Sequence, residues 1–179
     1  MFKIFIDGQN GTTGLQIKDR LAERGDIELI ELLDAERKTD AAKRAALDAA
    51  DVAILCLPDD AARQTAALAK KTRLIDASTA HRTHPDWTYG LPELCPEQRR
   101  KIQTAQRVSN PGCYPTGFIL LVRPLIALGL LKPEQAIFVS ALSGYSGGGK
   151  AMIKDYQDQS QTACRPYGQP RPNSIGARS

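Results

Sequence analysis

The sequence predicts a doubly wound α/β fold, Rossmann-like, built on a parallel sheet. Three observations carry the prediction. Short apolar runs recur along the first half: "FKIFI" from Phe2, "IELIELL" from Ile27, "DVAILCL" from Asp51 and "RLIDAS" from Arg73. Between them lie helical stretches of about ten to fifteen residues, the alternation that βαβ units produce. The first run ends in a glycine-rich loop, "DGQNGTTG", where such a sheet places a phosphate-binding turn.

Taken in order, "FKIFI" is a buried strand ending at Asp7-Gly8. A helix is expected from Thr13 to Arg24, with Leu15, Leu21 and Ala22 as core contacts and Gly25 as its stop. "IELIELL" is a second strand, and an Ala-rich helix from Asp40 to Ala50 leads to a third. The unbroken apolar character of "VAILCL" suits a strand covered on both faces. Pro58-Asp59-Asp60 opens a helix from Asp60 to Lys71, its acids well placed against the helix dipole. "RLIDAS" is a fourth strand. From Thr79 to Glu97 there is no clear period and there are three prolines. A loop of that length in a compact domain is functional or disordered, and Trp87, Tyr89 and Leu91 should pin this one down. Then come a helix from Glu97 to Ala105, a strand from Arg107 to Ser109, and a helix from Thr116 to Leu128 bent by Pro124. A strand, "AIFVSAL", a glycine-rich turn and a helix from Ala151 to Gln157 complete the pattern. The last dozen residues, proline-rich and without apolar period, are expected to be mobile.

Composition narrows the function. An apolar share of 42% builds a real core, and 25% charged residues is ordinary for a soluble protein. No apolar run reaches the length of a membrane span. The opening "MFKIFIDG" turns acidic and glycine-rich too early for a signal peptide, which points to the cytoplasm. Of the net charge of +4, three positive charges (Arg165, Arg171, Arg178) sit in the acid-free segment from Gln159 onward. The remainder does not form the clustered basic face that a nucleic-acid surface needs. Cys56, Cys95, Cys113 and Cys164 make no C-x-x-C pair, so neither a metal site nor a disulfide scaffold is expected.

Gly8, Gly11 and Gly14 form G-x-x-G-x-x-G between a strand and a helix. Such glycines let the backbone approach a pyrophosphate seated on the helix N-terminus. Asn10-Gly11 is also a hairpin dipeptide, but the helical stretch after it cannot supply a second strand. A dinucleotide's ribose would meet either the acids Asp34 and Glu36 or the bases Arg37 and Lys38. The basic pair favours NADP, with ordinary surface charge as the alternative.

In "VSNPGCYPTG" Cys113 lies in a Pro-Gly frame just ahead of a helix expected to start near Pro115-Thr116. A free thiol with pKa near about 8.5 is only a few per cent thiolate at neutral pH. Lowering it to about 7 takes roughly 2 kcal/mol, which a helix N-terminus supplies at its best. Cys113 therefore reads as a nucleophile, and Cys56, within an apolar strand, as a small core residue. In "GYSGGGKA", Gly144, Gly149 and Lys150 match most of a Walker loop. Ala151, however, stands where the magnesium-binding hydroxyl belongs. An ATPase is thus the runner-up to a cradle for a substrate phosphate or carboxylate.

Together "DGQNGTTG", "DASTAHR", "YGLPEL", "SNPGCYPTG" and "SGYSGGGK", in this order and over about residues 2–167, resemble N-acetyl-γ-glutamyl-phosphate reductase of the shorter type. The resemblance implies a dinucleotide-binding domain over 1–110, part of a catalytic domain over 111–167 and a non-family tail over 168–179. It implies NADPH-dependent reduction of a small-molecule acyl phosphate, N-acetylglutamyl 5-phosphate, to the semialdehyde in arginine biosynthesis. Cys113 would form a thioester. Gly8, Gly11, Thr12, Thr13 and Gly14 would hold the cofactor phosphates, with Arg37 and Ser78 also at the cofactor. Asn110, Ser143, Gly144, Ser146 and Gly147 would face the substrate. A homo-oligomer is implied for the full-length family. After Tyr167 the sequence departs from the family's pattern, and an alteration or truncation near Gly168 is expected. The family's proton-handling histidine belongs beyond that point; His81 and His84 read as loop or surface histidines. Unpartnered core surface in the second domain would favour self-association. Two other readings stay open: a related thioester-forming semialdehyde dehydrogenase for another acyl phosphate, and a non-catalytic NADP-binding fragment.

Overall fold

The computed structural model describes residues 1–33, 35–37, 39–144 and 149–158. Chain order is β1 (Phe2–Asp7), α1 (Thr12–Ala22), β2 (Ile27–Ile30), α2 (Asp40–Ala49), β3 (Val52–Leu55), α3 (Asp59–Leu68), β4 (Arg73–Asp76) and β5 (Thr88–Tyr89). A 3-10 turn (Pro92–Leu94), α4 (Gln98–Thr104), β6 (Arg107–Ser109), α5 (Cys113–Ala127) and α6 (Gly149–Asp158) follow. The strands make one six-stranded sheet in the order β2-β1-β3-β4-β6-β5, every pair parallel. Parallel neighbours need long crossovers, and α1, α2 and α3 supply the first three. This is the doubly wound sheet that the alternation of apolar runs predicts.

Successive residues of a strand point to opposite faces, and the two faces differ. On one, Phe5, Ala53, Leu55 and Leu74 pack with Ala46, Leu47, Ala66 and Ala69 of the α2 and α3 region and with Trp87. On the other, Ile4, Val52, Ile54 and Ile75 line an open groove of about 850 Å³ with Ile17 and Leu21 of α1. The expectation of full cover on both sides of β3 therefore holds on one side only.

Several local expectations need correction. In α1, Ile17 and Leu21, one helical turn apart, form the apolar stripe. Leu15 is off that stripe and 43% exposed, and Ala22 is exposed. The helix ends with Glu23 as C-cap in the ordinary right-handed region, so Gly25 is not its stop. The Thr79–Glu97 loop is pinned as expected: Trp87 and Leu91 are buried, and Thr88 and Tyr89 pair with Val108 and Ser109. The helix expected at Thr116 begins at Cys113. The strand expected at "AIFVSAL" is absent; those residues have no regular structure, with Phe138 92% and Leu142 91% exposed. A strand is completed by its neighbour, and among the described residues this run pairs with none.

The chain forms two compact units, Met1–Phe138 and Val139–Ser179. Residues 139–144 of the second have no regular structure, and α6 follows. Asp34, Lys38, Ser146, Gly147, Cys164 and the last dozen residues lie outside the described residues.

Candidate active site

In an open parallel sheet, ligands bind beyond the carboxyl ends of the strands, where the connections diverge to either side. Here β1 lies between β2 and β3; the turn after it carries Gly8 and Gly11, and Gly14 sits in the first turn of α1. Gly8 has φ of +91°, and a side chain there would strike the Cys56 carbonyl at the end of β3. A side chain at Gly14 would strike the Gly8 carbonyl. These two glycines let the turn fold flat between the strand ends. The Gly11 N–H donates to Gly8 O at 2.9 Å, and Gly11 is the N-cap of α1 with no side-chain cap bond. The amino end of α1 opens with Thr12 and Thr13, and its N-cap glycine has no side chain to occupy it. That is the arrangement a dinucleotide's phosphates require, and the residues present fit it.

Beside the turn is a cavity of about 370 Å³ lined by Asp7, Gly8, Gln9, Asn10, Arg37 and Lys43, among others. The Arg37 guanidinium is oriented by donation from Nε to Leu32 O at 3.0 Å. Glu36, the acid that would compete for a ribose, is turned back on its own turn, Oε2 accepting from Leu33 N at 3.3 Å. Buried Asp7 pairs with Lys43, Oδ2 to Nζ at 2.8 Å, and accepts from Thr65 Oγ1 at 2.8 Å. A second cavity, about 170 Å³, is lined by Gly11, Thr13, Cys56, Leu57 and Ala77.

Asp76, fully buried at the end of β4, organises the opposite side. Its carboxylate accepts from Ser78 N at 3.0 Å and Ser78 Oγ at 2.7 Å, and from His81 Nδ1 at 2.6 Å. Its carbonyl accepts from Asn110 N at 2.7 Å. His81, read from the sequence as a loop or surface residue, is 6% exposed. Its ring stacks on Trp87 with centroids 4.0 Å apart and planes 11° from parallel. The carboxylate and the indole bury an imidazole that the irregular loop sequence places outside. His84 does remain at the surface. Next to His81, Arg82 donates from Nε to Asn110 O at 3.2 Å. Its Nη1 is 2.6 Å from where a Gly112 side chain would begin.

The cysteine loop thus rests on Asp76 and Arg82 and delivers Cys113 as the first residue of α5, exposed and after the N-cap Gly112. Among the described residues no side-chain cap bond is made at this N-cap; Thr116 turns its hydroxyl back to Gly112 O at 2.8 Å. Cys113 stands one step further into the helix than expected, with its thiol in solvent. Cys56 contrasts with it: burial, then the carboxylates of Asp76 and Asp7, push its thiol up to about 11, as suits a packing residue.

The structure brings Gly8, Gly11, Thr12, Thr13, Gly14, Ser78, Asn110 and Cys113 to one edge of the sheet, with Arg37 beside the first turn. Ser143 and Gly144 belong to the second unit, where both are exposed. Asp7, Lys43, Asp76, His81 and Arg82 went unread as site residues. An acid ending each of two parallel strands is the signal that could have found the two carboxylates.

A family model described as "Semialdehyde dehydrogenase, NAD binding domain" matches residues 3–102. A second, "Semialdehyde dehydrogenase, dimerisation domain", matches 113–171. A protein of Brucella anthropi named N-acetyl-gamma-glutamyl-phosphate reductase is 56% identical over 161 residues, 88% of this chain and 52% of its own. One of the same name from Trichormus variabilis is 56% identical over 174 residues, 93% of this chain and 54% of its own. The chain spans about half the length of these curated relatives. Solved aspartate semialdehyde dehydrogenases share the fold. One from Vibrio cholerae has a TM-score of 0.61 at 17% identity, over 89% of this chain and 51% of that one. One from Francisella tularensis has 0.60 at 19%, over 89% and 49%. The glycine turn lies within the first family match and Cys113 opens the second, and the chain belongs to the semialdehyde dehydrogenase family.

Proposed function

We propose that the chain serves NADPH-dependent reduction of N-acetylglutamyl 5-phosphate to N-acetylglutamate 5-semialdehyde, as part of arginine biosynthesis. The observation that carries the reading is an exposed thiol at the uncapped start of α5, on the same sheet edge as the glycine turn. The relatives' name supplies the substrate. In this reading residues 1–110 bind the nucleotide, 111–167 belong to the catalytic part and 168–179 are a tail.

The Cys113 thiolate attacks the acyl carbon. The C–O bond to phosphate breaks, inorganic phosphate leaves and a thioester remains on Sγ. NADPH, when bound, supplies the hydride for the reduction. Release of the aldehyde then returns the sulfur. Thr12, Thr13 and Gly14 would hold the cofactor phosphates through backbone N–H groups at the start of α1, Gly8 and Gly11 would let the backbone come close to them, Arg37 would take the 2′-phosphate, and Ser78, fixed by Asp76, would face the cofactor. Asn110, Ser143, Gly144, Ser146 and Gly147 orient the substrate. Two copies associate through the part matching the dimerisation model. The cytoplasm, where thiols stay reduced, is the proposed location.

The test is phosphate-dependent reduction of NADP by N-acetylglutamate semialdehyde, run beside aspartate semialdehyde. Preference for the first, lost by more than about 10³-fold in Cys113→Ser, supports the assignment. Preference for the second makes the chain a dehydrogenase for a different acyl phosphate. NADP binding without turnover, with Cys113 still quickly alkylated, leaves a nucleotide-binding piece.

A further inference from the structure

Asp7 is a negative charge in an awkward place. It ends β1, immediately precedes Gly8, and is buried. It also shares a cavity wall with Gly8, Gln9, Asn10 and Arg37, where the proposed ligand is polyanionic. A buried carboxylate is poorly screened by salt and acts through a medium of lower dielectric than water. Left alone, it would oppose any phosphate brought to the turn.

Lys43 answers it. The ammonium group comes from α2, lies 2.8 Å from Asp7 Oδ2, and reaches Thr65 Oγ1 of α3 at 3.3 Å. The Thr65 hydroxyl in turn donates to the same carboxylate oxygen at 2.8 Å. Both side chains of the pair are largely out of water, at 15% and 9% exposure. The pair closes on itself beneath the glycine turn, leaving Arg37 as the other cation on that cavity wall.

We infer that Lys43 is a positioning residue of the dinucleotide site, holding Asp7 in a closed ion pair so that the turn above it can accept an anion. The inference rests on the dinucleotide reading above and adds to it. Arg37 attracts the ligand's phosphate, whereas Lys43 cancels a repulsion that the fold itself creates. A purely structural clamp between β1, α2 and α3 is the rival account, and the two differ in sign. A clamp is broken equally from either end. Charge cancellation makes loss of the lysine harmful and loss of the acid helpful, because Lys43 then faces the site unopposed.

The experiment is titration of NADPH, followed by nucleotide fluorescence, into the wild-type chain, Lys43→Met, Asp7→Asn and the double variant, with thermal melts alongside. Lys43→Met should weaken binding by about tenfold or more. Asp7→Asn should tighten it several-fold with a steeper loss in salt, and the double variant should return to within about threefold of wild type. Lys43→Arg should bind nearly as wild type does. Asp7→Asn that weakens binding as Lys43→Met does, or Lys43→Met that binds normally, overturns the inference. If Lys43→Met does not fold, the direction of the Asp7→Asn change decides alone. No NADPH binding by the wild-type chain removes the dinucleotide reading itself, an outcome visible before any substitution.

Discussion

The two faces of the sheet are built from neighbouring residues of the same strands, yet they end in different conditions. Ala53 and Leu55 are sealed under α2 and α3, while Val52 and Ile54, which alternate with them, look onto an open groove beside α1. Their side chains are equally apolar, so hydrophobicity alone does not decide burial. What decides it is whether a helix with a matching stripe arrives from the same stretch of chain. Helix α5 repeats the lesson: it is rich in Leu, Ile, Val and Phe, yet none of its residues is buried.

The largest effect should come from the sealed face. Leu74→Ala removes a fully buried side chain and should cost about 2–5 kcal/mol, read by urea unfolding. A loss near that of an exposed site would mean this face is looser than its packing indicates. At the strand ends the contrast is chemical. With its thiol at about 11, Cys56 should be alkylated on the order of 10²-fold more slowly than a peptide thiol at pH 8, by mass spectrometry of labelled peptides. The sign follows from a raised value. The stabilising contribution of the neutral thiol is whole below about pH 9 and is lost as pH rises through about 11. Fast labelling of Cys56 at pH 8 would show that the edge opens in solution.

On the open face, Ile54→Ala should cost only about 1 kcal/mol, well under the Leu74 value in the same assay. Equal losses at the two positions would mean that the groove is covered in solution, and would break the comparison. Smallest of all, Leu121→Ser, at a residue 74% exposed, should change unfolding stability by less than about 0.5 kcal/mol. Its effect should instead be on the concentration at which the protein self-associates in sizing runs.

The parallel sheet was legible because its strands carry apolar runs at regular intervals and each gap holds a helix. The glycine turn was legible because Gly8 and Gly14 occupy positions where a side chain would collide with backbone. The place of Cys113 near a helix start was legible from its Pro-Gly frame, although helix α5 takes the cysteine in as its first residue. "AIFVSAL" misled because β-branched apolar residues describe a strand's side chains and say nothing of a partner. His81 misled for a related reason. Its burial depends on Asp76 five residues before it and on Trp87 six after, brought together by a loop with no period to read. Nothing in the sequence marks out Lys43 on its Ala-rich helix, and only the approach of α2 to the end of β1 gives it a partner.

Asp76 has one further consequence. Its side chain fastens the Ser78 turn and the His81 loop, and its main chain fastens Asn110. The Ser78 segment and the segment presenting the thiol therefore hang from a single hinge pin. Selection or engineering that retunes one of them must carry the other along, so substitutions at Ser78 should also alter how readily the sulfur reacts.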